Sequence, residues 1–387
     1  MQLKKIGILA GEPSGDMLGA GLMNALNVQS SHFEFTGIGG PKMIAAGCRS
    51  LHEMERLSVM GLVEPLFRLP ELFRIRRHLY HYFIQNRPDV FIGIDSPDFN
   101  LGLELKLRQK GIPVIHYVSP SVWAWRQKRI IKIAKATDLV LTIFPFEADF
   151  YKKHHVPVQF VGHPLADLIP LQNDKSAARK KLNLDQDATY IALLPGSRHN
   201  EIKFLAERFL ATAAQCLKKR PHIKFITSSI NEARHQELQT IYQTKFPDLP
   251  LTFFQGCSHE VMEASDLVLV TSGTATLETL LYKRPMVIAY RMANFTFQLA
   301  RHLVKLKYIG IPNLLADEKL VPEFIQGDAT PANMSKALLD YLDHPEKVVA
   351  LENKFLEMHQ QLRCNANQQA ANAVLNVMAN NKTPCTF

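Results

Sequence analysis

Three stretches of this 387-residue chain place acid–base or anion-holding side chains directly after apolar runs. In Val90-Phe91-Ile92-Gly93-Ile94-Asp95-Ser96-Pro97-Asp98-Phe99-Asn100, Asp95 ends what reads as a buried strand. A partly desolvated carboxylate at such a place suits a general base. Asp98, directly before a helix expected to start near Phe99, reads instead as a helix cap. In Ile191–Glu201 a strand stops at Pro195-Gly196 and restarts as a helix. The N–H groups at such a helix start lack partners within the helix. Ser197 and Arg198 add a hydroxyl and a cationic fork, a combination that fits a phosphate.

Leu267–Glu278 repeats the pattern, with Ser272, Gly273 and Thr274 forming the turn. Glu278 follows Ala275 by three residues, so no capping box holds it, and its carboxylate is free to accept hydrogen bonds from ribose hydroxyls. Glu201 follows Arg198 in the same way, although its charge alone also suits a helix N-terminus. One such loop is an ordinary turn. Two in one domain point to a nucleotide diphosphate, with neither a P-loop nor a dinucleotide fingerprint to hold it. The D-x-D at Asp185-Gln186-Asp187 precedes a strand and reads as a solvated turn, so neither a metal nor an organic cofactor is expected.

Positioning these residues requires strands that end on a common edge. Apolar runs at Ile6–Ala10, Phe33–Ile38, Val90–Ile94, Val114–Val118, Leu139–Ile143 and Val158–Val161 are mostly separated by helical segments. A second series occupies Tyr190–Leu194, Ile223–Ser228, Leu251–Phe254, Leu267–Thr271 and Met286–Ala289. Such alternation implies two doubly wound, mainly parallel α/β domains, with ligands in a cleft at the strand carboxyl ends. The expected boundaries are a Rossmann-like domain over 1–170, a linker over 171–188, a second domain over 189–330 and a helical tail over 331–387. That tail, lacking a strand, must return to the first domain or engage a second subunit.

Length favours more than one domain, and 47% hydrophobic with 21% charged residues is a globular balance. No apolar run approaches the roughly 18 residues of a membrane span, and no export signal is visible, so a cytoplasmic protein is expected. Five scattered cysteines without a C-x-x-C pair fit a reducing compartment. A formal charge of +9 asks for an anionic partner without saying which.

Two further segments each have two readings. Trp123 and Trp125 precede Lys128, Arg129, Lys132 and Lys135, which could stack bases and hold phosphates, or could belong to an amphipathic helix with solvated charges. Leu62–Arg77 interleaves apolar and basic residues, as in a helix lying on an anionic membrane or one packed into the first domain.

Taken together, GEPSGD at Gly11–Asp16, GIDSPDFN at Gly93–Asn100, HYVSPSVWAWR at His116–Arg126, LPGSR at Leu194–Arg198, SGTATLE at Ser272–Glu278 and IPNLL at Ile311–Leu315 resemble the lipid-A-disaccharide synthases. These are bacterial glycosyltransferases of the two-domain GT-B type, and the resemblance spans essentially the whole chain. It implies an inverting transfer of 2,3-diacylglucosamine from UDP-2,3-diacylglucosamine to the 6-hydroxyl of 2,3-diacylglucosamine 1-phosphate (lipid X), with release of UDP.

The resemblance makes Asp95 the base. It places Gly196, Ser197, Arg198, Ser272, Gly273, Thr274, Glu278 and Asn313 at the UDP site, with Arg363 completing a partner's donor site, and leaves Ser14 and Asp98 as acceptor-side candidates. It further implies a membrane-facing patch of Val63, Leu66, Leu69, Leu72 and Phe73 with Phe204, attachment to the inner face of the inner membrane, and a homodimer that exchanges tails. Another UDP-sugar enzyme of the same fold, such as a non-hydrolysing UDP-N-acetylglucosamine epimerase, and a basic nucleic-acid-binding protein are the competing readings.

Overall fold

The structure is a computed structural model that describes residues 3–30, 32–57, 64–294, 296–298 and 306–380. Its strands form two sheets. The first comprises β1 (Lys4–Ala10), β2 (Phe33–Ile38), β3 (Cys48–Ser50), β4 (Val90–Ile94), β5 (Val114–Tyr117), β6 (Leu139–Thr142) and β7 (Val158–Phe160). They run in the order β3-β2-β1-β4-β5-β6-β7, and every pairing is parallel. The second sheet comprises β8 (Tyr190–Leu194), β9 (Lys224–Ser229), β10 (Leu251–Gln255), β11 (Leu267–Thr271), β12 (Met286–Tyr290) and β13 (Glu323–Ile325). It too is wholly parallel, in the order β10-β9-β8-β11-β12-β13. The central strands β4, β8 and β11 are buried along their whole length, because helices cover both faces of a parallel sheet. β3 and β13, absent from the sequence reading, are three-residue edge strands too short to show a pattern.

The helices of the first sheet are α1 (Pro13–Gln29), α2 (Pro41–Ala45), α3 (Glu64–Gln85), α4 (Pro97–Arg108), α5 (Ile130–Ala136), α6 (Pro145–Lys153) and α7 (Pro164–Leu168). The later helices are α8 (Lys175–Lys181), α9 (His199–Lys219), α10 (Glu232–Lys245), α11 (Ser258–Ala264), α12 (Thr274–Leu281), α13 (Ile311–Ala316), α14 (Pro331–Asp343), α15 (Pro345–Leu362) and α16 (Ala366–Asn380).

Two compact units result, one of residues 1–167 with 362–387 and the other of residues 168–361. The stretch expected as a linker contains α8, capped by the Asp174 side chain on the Ala177 N–H and held by Arg179, which donates to the Ala264 carbonyl and pairs with Asp266. The helical tail divides. α14 packs on α9, where Ser335 donates to Gln215, whereas α16 returns to the first unit. Ala370, Ala371, Val374 and Met378 share one core cluster with Leu18, Leu22 and Leu26 of α1. The carboxylate of Asp167 accepts from the N–H groups of Asn365 and Ala366, capping α16 from a distant part of the chain.

Candidate functional site

In the second unit β8 and β11 are neighbours in a register that pairs Leu194 with Val270, so the turns leaving both strands lie side by side. They wall a hollow of about 440 Å³ with Gly196, Ser197, Arg198, Ser272, Gly273, Thr274 and Glu278 on its lining. Sequence reasoning missed Ser228, Ser229, Gly256 and Ser258, which also line it. These stand at or just past the ends of the expected strands at Ile223–Ser228 and Leu251–Phe254, and strand-end position was the signal that could have found them. The hydroxyl of Thr271 is buried in the same wall without a hydrogen-bond partner. A larger hollow, about 970 Å³, opens beside Lys319–Val321, just before β13, and the last residues of α9. That is the amino-end side of a parallel sheet, opposite the edge that carries these turns.

The first turn differs from expectation in one respect. The N–H groups of Ser197 and Arg198 are not free, because both donate to Oε2 of Glu201, at 2.9 and 3.1 Å. Glu201 therefore caps its own helix. Gly196 permits this, since its φ is +131° and a Cβ there would collide with the Glu201 side chain. The anion-holding groups of this turn are the exposed Ser197 hydroxyl and the Arg198 guanidinium, whose side chain is 68% exposed and lies 3.6 Å from Oε1 of Glu201. In the second turn Ser272 donates its hydroxyl to the Ile309 carbonyl. Burial lifts the Glu278 carboxyl above its usual range, with nearby His259 pulling the other way. Asn313 is fully buried. Its amide donates to the Val321 carbonyl and Glu323 and accepts from the Val321 N–H, so its side chain locks the segment before β13 and is absent from the lining of the hollow.

In the first unit Asp95 leaves β4 with φ +50° and Ser96 comes next at +42°, two consecutive left-handed residues that are not glycine. Each such residue costs on the order of 1 kcal/mol, so the turn needs support. Asn100 supplies it, donating to the carbonyls of Ile94 at 3.2 Å and Asp95 at 2.7 Å, while the Asp95 N–H donates to Tyr117. Gly11 contributes by omission, because a Cβ there would strike the Ser96 hydroxyl. Beneath the turn, His116 and Glu104 are wholly buried and 2.7 Å apart. Burial works against a charged imidazole, yet the Glu104 and Asp95 carboxylates outweigh it and raise His116 above its ordinary value.

Asp98 is not the cap expected of it. The helix begins at Pro97, and Asp98 lies in its first turn and pairs with Arg129. Ser14 is exposed in the first turn of α1, and Asp16 of the same motif is spent on capping α2 through the N–H groups of Gly40, Lys42 and Met43. Arg363 is exposed in the turn between α15 and α16. Of the apolar patch, Leu69 and Phe73 are 38% and 55% exposed on α3, and Leu72 and Phe204 are half-buried. Val63 lies outside the described residues, as does the side chain of Leu66.

Among the described residues no group of three or more His, Cys, Asp or Glu side chains could hold a metal ion. Asp185 of the D-x-D pairs with Lys224 at 3.0 Å and accepts from the N–H of Asp187.

Two doubly wound units, each carrying its polar groups at the strand carboxyl ends, define a GT-B glycosyltransferase fold. Solved structures agree on the fold. A kitacinnamycin glycosyltransferase aligns with a TM-score of 0.63 at 15% identity, covering 97% of this chain and all of that one. The UDP-GlcNAc 2-epimerase of Neisseria meningitidis aligns at 0.61 with 11% identity over the same shares. Within that class the chain belongs to the lipid-A-disaccharide synthetase family, whose profile matches residues 6–374. It is 52% identical over 379 residues to the lipid-A-disaccharide synthase of Saccharophagus degradans, with 97% of each chain covered, and 53% identical over 374 residues to that of Pseudomonas paraeruginosa, covering 97% of this chain and 98% of that one. The epimerase reading rests on fold alone, and neither it nor the nucleic-acid reading is favoured.

Proposed function

We propose that this glycosyltransferase moves 2,3-diacylglucosamine from UDP-2,3-diacylglucosamine to O6 of lipid X, giving the β(1→6) disaccharide 1-phosphate and UDP. The observation that carries this reading is the match to lipid-A-disaccharide synthases along nearly the whole chain. Asp95 takes the proton of the 6-hydroxyl as that oxygen attacks the anomeric carbon, and the bond from that carbon to the diphosphate breaks with inversion. The departing charge is met by Arg198 and the Ser272–Thr274 turn, and Glu278 holds the ribose. The first unit thus serves the acceptor, with Ser14 and Asp98 on its rim, and the second serves the donor. Asn313 acts on the donor site by fixing the segment behind it.

The exposed Leu69 and Phe73, interleaved with Arg68, Arg74 and Arg77, support attachment of α3 to an anionic inner-membrane surface from the cytoplasmic side. No helix among the described residues is long and apolar enough to cross a membrane. A homodimer is part of the same reading. In it α16 takes the equivalent α1 face of a second copy by reopening the turn at Asn365, whose φ is +57°, and this carries Arg363 toward the partner's donor site.

Purified protein given UDP-2,3-diacylglucosamine and lipid X should release UDP and disaccharide in equal amounts, read by coupled UDP detection and mass spectrometry. Epimerised UDP-sugar, or UDP release without disaccharide, would overturn the assignment.

A further inference from the structure

Strands β4, β5 and β6 are adjacent and parallel, so the segments leaving their carboxyl ends share one edge of the first unit. Asp95 leaves β4, the Val118–Arg129 segment leaves β5, and Phe144–Phe146 lie just past β6. On that edge three aromatic rings touch in series. Trp123 meets Phe146 edge-on, with centroids 4.8 Å apart at 77°, and Phe146 stacks on Phe144 at 5.6 Å and 6°. The buried His163 backs Phe144 at 5.5 Å. All three rings are half-buried, and none belongs to the packed core clusters beneath them.

One buried carboxyl fixes both ends of the series. Glu147 accepts from the Trp123 indole N–H at 3.3 Å through one oxygen and from the Phe144 N–H at 3.2 Å through the other. A shelf held this rigidly loses little conformational freedom when something lies on it. Basic residues follow Trp123 in the same segment. Arg126 is exposed over the Trp125 ring and Lys128 is exposed, while Arg129 is tied to Asp98, three residues beyond Asp95. Apolar rings in a segment that also carries exposed positive charge match a ligand with an apolar body and an anionic group.

We propose that the Trp123–Phe146–Phe144 shelf is the acceptor subsite: it takes the acylated sugar of a sugar phosphate, with the phosphate toward Arg126 and Lys128 and the reacting hydroxyl toward Asp95. This rests on the transferase reading above and adds where the acceptor lies. The competing occupant, a stacked nucleobase, is a test outcome.

The chain has two tryptophans, so Trp125→Phe leaves Trp123 as the sole indole reporter. In that variant, 2,3-diacylglucosamine 1-phosphate below its micellar concentration and without donor should shift Trp123 emission saturably, and UDP alone should not. Trp123→Ala and Phe146→Ala should each raise the acceptor KM by about three- to tenfold, the loss expected for one aromatic contact. The KM for the UDP-sugar should stay unchanged, and Trp123→Phe should recover most of the loss. An unshifted emission, a shift produced by UDP, or a rise in donor KM equal to that of the acceptor would overturn the proposal. The emission titration needs no turnover, so a saturable shift in a protein that makes no disaccharide would keep the shelf and remove the transferase reading. It also stands if an alanine variant fails to fold.

Discussion

Glu201 accepts a hydrogen bond from the N–H of Ser197, four residues before it, at 2.9 Å. The amide that a phosphate-binding turn would present is thereby already satisfied. In this structure the turn offers a guanidinium and a hydroxyl, and its amides belong to the helix cap. Glu201→Ala should therefore cost about 1 kcal/mol of stability, the usual worth of a lost cap, whereas Glu201→Gln, whose amide oxygen still accepts, should retain most of it. Chemical denaturation compares the two, and equal midpoints would count against the cap.

Asp95→Ala should lower kcat by about 10²–10⁴, the range for removing a general base. UDP affinity should be unaltered, because every residue lining the hollow belongs to the other unit. Turnover and calorimetric titration with UDP make the check, and normal turnover would remove Asp95 from the mechanism.

Activity should survive EDTA. The D-x-D that could have held a divalent ion is committed, Asp185 to Lys224 and to the N–H of Asp187, and Lys224 in turn is drawn to Asp185. A full loss of rate in EDTA that Mg²⁺ restores would contradict this.

His163 makes stability fall in acid. Burial lowers its pKa to about 4 from the ordinary 6.5, so the unfolded chain takes up a proton at this site before the folded one does. Stability present above pH 6.5 is lost as pH falls toward 4, by on the order of 3 kcal/mol. In His163→Phe that part of the pH dependence should vanish from thermal melts between pH 7 and 4.5. An identical slope in the variant would place the acid sensitivity elsewhere.

The strand runs and the turns after them were legible because both sheets are parallel. Strands covered on both faces show as unbroken apolar runs, as in Val90–Ile94 and Leu267–Thr271, and their carboxyl ends must then carry the polar groups. Short edges such as β13 left no pattern. Neither did partnerships between side chains and backbone: the resemblance places Asn313 at the UDP site, and only the packed chain shows its amide consumed by Val321 and Glu323.

By itself, then, the sequence determined the two doubly wound units, the positions of Asp95 and Arg198 just past strand ends and of Glu278 in the helix after one, and the family, because each is a matter of local pattern. Tertiary structure decided which polar groups remain available. It paired Asp98 with Arg129, folded α8 into the second unit, returned α16 to α1 and gathered Trp123, Phe144 and Phe146 on one edge. A hydrogen bond or a ring contact depends on distance in space, and separations such as the 198 residues between Asp167 and Asn365 are closed only by the folded chain.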